Sequence, residues 1–212
     1  MREISSINYV ITTSCNRMCP DCCINIQHKQ RKYVDWHYLT ESAKYFKGIN
    51  RIHITGGEPT IHPNFKDFVP HLREVFGCKL LTLETNGFGV RSYPEIFTYF
   101  DIIYMSHYTK NSYLGSSDNG EDIEYLKNYI NKTPCKTTIV VGDIVHTSRD
   151  VRNNGIICER GLSETAQYED GLLYPCCTTS GVEGCLGIPL TQRWKEEILK
   201  VSLPCKNCWF AL

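Results

Sequence analysis

The sequence predicts an α/β fold built on parallel strands. Apolar, β-branched runs at 7–12, 51–55, 79–84, 102–106 and 137–141 read as strands. Amphipathic stretches at 35–46, 64–76, 93–99 and 122–130 fall between them. Strand and helix in alternation imply βαβ units, and five such strands make either an open, partial barrel or a doubly wound sheet. After about residue 145 the pattern changes to a tail rich in Gly, Cys and turn residues, with one helical segment at 192–201.

The elements carry their own punctuation. Asp35 and Asn64 stand where N-caps belong, and Pro94 suits a first helical turn. A length of 212 residues fits one domain with a small appendage, divided here as 1–145 and 146–212. The tail is too poor in apolar residues for a core of its own, so cysteine-bound metal is expected to pin it.

Charge and hydropathy narrow the classes. Lys and Arg total 23 and Asp and Glu total 23, so no net field favours nucleic acid or an anionic membrane. Lys29, Arg31 and Lys32 make a small basic patch that reads as a solvated loop. No run approaches the roughly 18–20 apolar residues that span a bilayer, and MREISSINYV lacks the apolar region of a signal peptide. A cytoplasmic location, where thiols stay reduced, is the expectation.

Against that background the 12 cysteines stand out. Cys15, Cys19, Cys22 and Cys23 cluster early, six more fall between Cys158 and Cys208, and only Cys78 and Cys135 lie between as apolar fillers. Reduced cysteines in two tight groups point to metal rather than disulfides. The first group reads C15-x3-C19-x2-C22 directly after a strand, where α/β barrels build their sites. Iron–sulfur clusters usually take four thiolates, so three would leave one iron open. A structural zinc site wants four ligands; Cys23 is too close to Cys22 to serve, though His28 could.

Residues 51–59 read RIHITGGEP, a strand running into two glycines, Glu58 and Pro59. Glycines there allow backbone to approach a ligand closely. Together, Cys15, Cys19, Cys22 and Gly56-Gly57-Glu58-Pro59 resemble the radical S-adenosylmethionine (SAM) superfamily, with supporting matches in Glu84-Thr85-Asn86-Gly87 and Ser106. The resemblance covers about residues 5–145 and implies a partial (β/α)6 barrel. It also implies a 4Fe-4S cluster whose open iron chelates SAM, with Gly56, Gly57, Glu58, Glu84, Asn86 and Ser106 as SAM contacts. The residue before the third cysteine, often aromatic in the family, is Asp21 here, which puts the adenine contact in doubt. An external electron donor such as flavodoxin or ferredoxin is implied as well.

The tail contains C158-x12-G171-x4-C176 and C205-x2-C208. That spacing resembles the SPASM and twitch auxiliary-cluster regions, and the single late C-x2-C favours the twitch type, as in enzymes of the 2-deoxy-scyllo-inosamine dehydrogenase type. The resemblance implies an auxiliary 4Fe-4S cluster on Cys158, Cys176, Cys205 and Cys208, with Cys177 and Cys185 as rivals for one position. A zinc knot stapling the tail is the plainer alternative.

Substrate residues are less marked. His107 and Tyr108 follow the fourth strand and should face the barrel opening. With Arg152 they are the catalytic candidates; Arg149 and Arg152 could clamp a polar substrate. Tyr168, Glu169 and Asp170 precede Gly171 in a loop that could cover the site. His53 and His62 read as structural residues. The expected function is hydrogen abstraction from a small polar substrate, leading to oxidation, epimerisation or rearrangement. Radical modification of a nucleic-acid base or a peptide, and a non-catalytic zinc or iron–sulfur module, are the alternatives.

Overall fold

A computed structural model describes residues 4–20, 22, 24, 26–112, 116–143, 165–175 and 187–201 of the protein. Its strands are β1 (Ser6–Thr12), β2 (Arg51–Gly56), β3 (Leu80–Thr85), β4 (Ile102–His107), β5 (Thr138–Asp143), β6 (Thr165–Glu169), β7 (Leu172–Tyr174) and β8 (Ile188–Pro189). They form one open sheet in the order β5-β4-β3-β2-β1-β6-β7-β8. The pairings from β5 across to β6 are all parallel, and β7 and β8 add an antiparallel flap. This is the open, partial barrel, and the five expected strands each fall within a residue or two of their predicted bounds.

The two faces of the sheet differ in chemistry. Ile7, Tyr9, Ile52, Ile54, Leu81, Leu83 and Ile103 are all fully buried on one face. That face is covered by α1 (Trp36–Ala43), α2 (Phe65–Phe76) and α3 (Gly120–Asn131), whose buried residues include Leu39, Phe65, Phe68, Leu72 and Leu126. The opposite face carries Asn8, His53, Glu84 and Tyr104, which alternation along each strand turns away from the helices.

Local signals explain the helix ends. Asp35 caps α1 by accepting the Tyr38 backbone N–H at 2.7 Å. Asn64 holds the cap position of α2 without a side-chain cap bond; its own N–H donates to His62 Nδ1 at 3.1 Å. His62 Nε2–H donates to the Val34 carbonyl at 2.8 Å, so the ring is a neutral, two-sided brace, and burial lowers its pKa. At the other end Gly77 takes a left-handed conformation with φ 61° and returns its N–H to Arg73 O at 2.9 Å. Between β3 and β4 the expected helix is a 3-10 turn, Pro94–Tyr99, with Pro94 in its first turn.

The tail departs from expectation in how it is held. Gln167 pairs with Tyr174, Tyr168 with Leu173 and Glu169 with Leu172, making β6 and β7 a hairpin. Tyr168 and Glu169 are therefore strand residues rather than a covering loop. Asp170 at φ 50° and Gly171 at φ 83° form the two-residue turn, as an Asp-Gly pair between alternating runs favours. Through β6 the hairpin continues the main sheet across the expected division at residue 145. Trp194, in α4 (Trp194–Ile198), packs its ring 5.6 Å from that of Phe46 and donates Nε1–H to the Tyr45 carbonyl at 3.0 Å. The described part of the tail thus packs on the core built by the preceding elements.

Two outcomes follow for stability. Trp194→Ala should cost about 3–5 kcal/mol by opening a cavity against Phe46, read as a lower denaturant midpoint. Gly77→Ala should cost only about 1 kcal/mol, because a Cβ there meets nothing within 4 Å and the left-handed backbone is the sole penalty.

Candidate active site

The chain leaves β1 at Thr12 and returns beside it twenty residues later. Thr12 Oγ1 donates to the Lys32 carbonyl at 2.8 Å, Thr13 Oγ1 to the Gln30 carbonyl at 2.6 Å, and Val34 N to the Ile11 carbonyl at 3.0 Å. These bonds close the neck of a loop that carries Cys15, Cys19 and Cys22 at the C-terminal end of β1. Cys22 N–H donates to the Cys19 carbonyl at 3.2 Å and Arg17 N–H to Cys15 Sγ at 3.4 Å.

The glycines of the second motif face this loop. Gly57 N–H donates to Thr12 O and Glu58 N–H to Ser14 O, each at 2.8 Å. A Cβ on Gly56 would sit 2.4 Å from Thr12 O, and one on Gly57 would sit 2.2 Å from Ser14 O. Only glycine permits that approach. Within this chain, what the two glycines let close in is the cysteine loop itself.

Glu58 turns inward. It is fully buried, and its carboxylate accepts from Thr60 N at 3.1 Å, Thr60 Oγ1 at 2.6 Å, Thr85 Oγ1 at 2.7 Å and Asn86 N at 2.6 Å. Burial raises its pKa, and the four donors act against that rise. The side chain therefore supports the ends of β2 and β3 and presents no surface to a ligand. Asn86 does reach the loop: its Nδ2 donates to Asn16 Oδ1 at 2.8 Å and lies 3.9 Å from Cys15 Sγ.

The ends of β3 and β4 are tied by a residue that the sequence did not single out. Asn119 is buried, and its Nδ2 donates to the Asn86 carbonyl at 2.8 Å and the Ser106 carbonyl at 2.9 Å. Its Oδ1 accepts Tyr108 N–H at 2.8 Å. An Asn before a helix signals a cap, yet here its side chain bridges strands and makes no cap bond.

Tyr108 is a buried member of the cysteine loop's surroundings rather than a group at the opening. Its hydroxyl lies 3.3 Å from Cys19 Sγ, and the Arg17 guanidinium stacks 3.9 Å from its ring centroid. Burial first, and Cys19 next, push its pKa well above the ordinary tyrosine value. Arg17 NH1 donates to the Ser117 carbonyl at 3.0 Å. His107 Nε2 lies 4.0 Å from Asp118 Oδ1. Lys29 pairs with Glu169 and Lys32 with Asp170, so the supposed solvated patch joins the cysteine loop to the hairpin turn.

On the polar face of the sheet His53 Nδ1 lies 2.6 Å from Thr82 Oγ1, and its Nε2 lies 3.4 Å from Glu84 Oε2. Thr55 Oγ1 donates to the same carboxylate oxygen at 3.2 Å. His53 is thus part of a polar network facing the concavity.

The loop suits an iron–sulfur cluster. Burial pushes the Cys15 thiol up to about 11, with Glu58, Cys19 and Cys22 adding to the rise. Cys15 thus feels the other two thiols, and a metal must displace its proton to bind. Two buried polar atoms without a partner, Ser14 Oγ and Arg17 Nε, flank Cys15 and could serve a cluster's sulfurs. Among the described residues no three His, Cys, Asp or Glu side chains converge on a single metal ion. Arg149, Arg152, Cys158, Cys176, Cys177, Cys185, Cys205 and Cys208 lie outside the described residues, as do Asp21 and Cys23.

Residues 9–109 match the family model described as the radical SAM superfamily. A probable GTP 3′,8-cyclase of Methanococcus aeolicus is 28% identical over 158 residues, 66% of this chain and 51% of that protein. Molybdenum cofactor biosynthesis protein 1 of Bos taurus is 30% identical over 101 residues, 45% of this chain and 16% of that protein. The chain thus spans about half or less of the length of these curated relatives. Among solved structures, BtrN in complex with AdoMet and 2-DOIA superposes with TM-score 0.59 at 18% identity, covering 96% of this chain and 84% of BtrN. Streptococcus suis SuiB bound to precursor peptide SuiA gives TM-score 0.64 at 15% identity, covering 100% of this chain and 71% of SuiB. These likenesses show the shared fold. The thiolate loop clasped against Gly56-Gly57 lies within residues 9–109, the stretch from β1 through β4 that matches the radical SAM superfamily.

Proposed function

We propose that this chain abstracts hydrogen from a small polar substrate, using a cluster held by Cys15, Cys19 and Cys22. The carrying observation is the clasped three-cysteine loop beside a polar sheet face on which no helix packs among the described residues. When bound, the cluster and SAM supply reductive cleavage to a 5′-deoxyadenosyl radical, with the electron coming from a donor such as flavodoxin or ferredoxin. The protein's own residues hold and exclude. Asn86 and Ser106 sit at the strand ends expected for SAM, fixed by Glu58 and Asn119. The Arg17–Tyr108 stack seals one side of the cysteine loop from water.

An auxiliary 4Fe-4S cluster on Cys158, Cys176, Cys205 and Cys208 belongs to the same proposal. In support, the hairpin opens at Thr165 and Tyr174, where the chain continues toward Cys158 and Cys176. Thr165 pairs with Ser6, at the far end of β1 from Cys15, about 20 Å away at the usual strand rise. A redox group beyond the polar face would suit an oxidation, in which an electron must leave the substrate. Radical modification of a peptide is the second reading, favoured by the fold shared with SuiB bound to its precursor peptide.

Protein reconstituted without oxygen should carry about eight irons, from two four-iron clusters. With dithionite and SAM it should release 5′-deoxyadenosine. Cys19→Ser should abolish that product, and Cys205→Ala with Cys208→Ala should remove about four irons. Full iron in the tail variant would refute the auxiliary cluster; product from Cys19→Ser would refute the whole reading.

A further inference from the structure

Arg17 lies on the chain between Cys15 and Cys19, in surroundings unusual for a charge. It is only 8% exposed, and its Nε is buried without a partner. Among the described residues no carboxylate pairs with it. Its neighbours hold the guanidinium in place without neutralising it. NH1 donates to the Ser117 carbonyl at 3.0 Å, and the guanidinium carbon stands 3.9 Å from the centroid of the Tyr108 ring. The hydroxyl of that ring lies 3.3 Å from Cys19 Sγ, so one tyrosine links the charge to the second cysteine. The backbone N–H of Arg17 donates to Cys15 Sγ at 3.4 Å. Ser14 Oγ, the other buried atom without a partner, belongs to the residue before Cys15.

A buried cation without a counter-ion is costly, and so is a buried donor without an acceptor. Both costs fall away where an anion with several acceptors is bound. Three thiolates outweigh the positive charge of a resting four-iron core, so that assembly is anionic, and an added electron deepens its charge. Net charge and hydrogen bonds to sulfur are what set the potential of such a cluster. We propose that Arg17 supplies the counter-charge of the cluster on Cys15, Cys19 and Cys22 and makes that cluster easier to reduce. Its Nε–H and the Ser14 hydroxyl are the donors left for the cluster's sulfurs, and its charge favours the reduced form over the resting one. In that step one electron enters from the external donor, and no bond forms or breaks. The assignment rests on the cluster reading above and adds to it the group that tunes the potential.

The test is a redox titration of the full chain, reconstituted without oxygen and followed by electron paramagnetic resonance. The signal followed is the one that changes shape when SAM is added to a separate sample. The titration itself contains neither SAM nor substrate, so no other anion answers to the guanidinium. Arg17→Gln, which removes the charge, should disfavour the reduced form about tenfold or more, the loss of one charged hydrogen bond. For one electron that is a midpoint lower by about 59 mV or more. Arg17→Lys, which keeps the charge, should recover most of the shift and hold wild-type iron even where Arg17→Gln loses it. An unchanged midpoint in Arg17→Gln would overturn the assignment. So would an Arg17→Lys protein that follows Arg17→Gln rather than wild type in midpoint or iron content. A wild-type protein with no SAM-sensitive signal would overturn the cluster reading itself, whereas that signal with unshifted variants overturns the role of Arg17 alone.

Discussion

The site depends on the approach of one backbone to another at the ends of β1 and β2. Two 2.8 Å bonds, from Gly57 N to Thr12 O and from Glu58 N to Ser14 O, set the height and tilt of the cysteine loop. They form only because Gly56 and Gly57 lack a Cβ, which would fall 2.4 and 2.2 Å from carbonyl oxygens. The carboxylate of Glu58 extends the same joint into β3, where four donors offset the cost of burying it. Asn119 carries it on to β4. The neck of a loop of some twenty residues is thereby closed by a few short polar contacts.

Much of this was legible in the sequence, and what escaped did so for physical reasons. Strands and helices were readable because one sheet face and three helix faces are strictly apolar, so periodicity tracked burial. The motif around Gly56 was visible, but spacing alone cannot say whether a glycine yields to a ligand or to a neighbouring loop. Nor can it show that Glu58 points inward. Asn119 drew no notice in the sequence because its bonds go to the ends of two strands, which no local pattern reveals. The Asp170-Gly171 hairpin was legible from its turn residues and went unread among the cysteines. The tail's dependence on Trp194 reflects tertiary contact with Phe46, which no local pattern announces.

The two-faced sheet links fold to chemistry. Apolar packing on the helix side secures the strands, which frees the other side to carry His53, Glu84 and Tyr104 at a stability cost borne elsewhere. The cysteine loop stands at one end of this polar face and the open end of the β6–β7 hairpin at the other.

The central claim is that Cys15, Cys19 and Cys22 hold a cluster with one iron open to SAM. Electron paramagnetic resonance of the reduced protein, recorded with and without SAM in a variant lacking Cys205 and Cys208, tests it most directly. The account predicts a reduced-cluster signal that changes shape when SAM is added, because SAM binds that iron. A signal indifferent to SAM, or a colourless protein containing zinc at the first cysteine group, would contradict it.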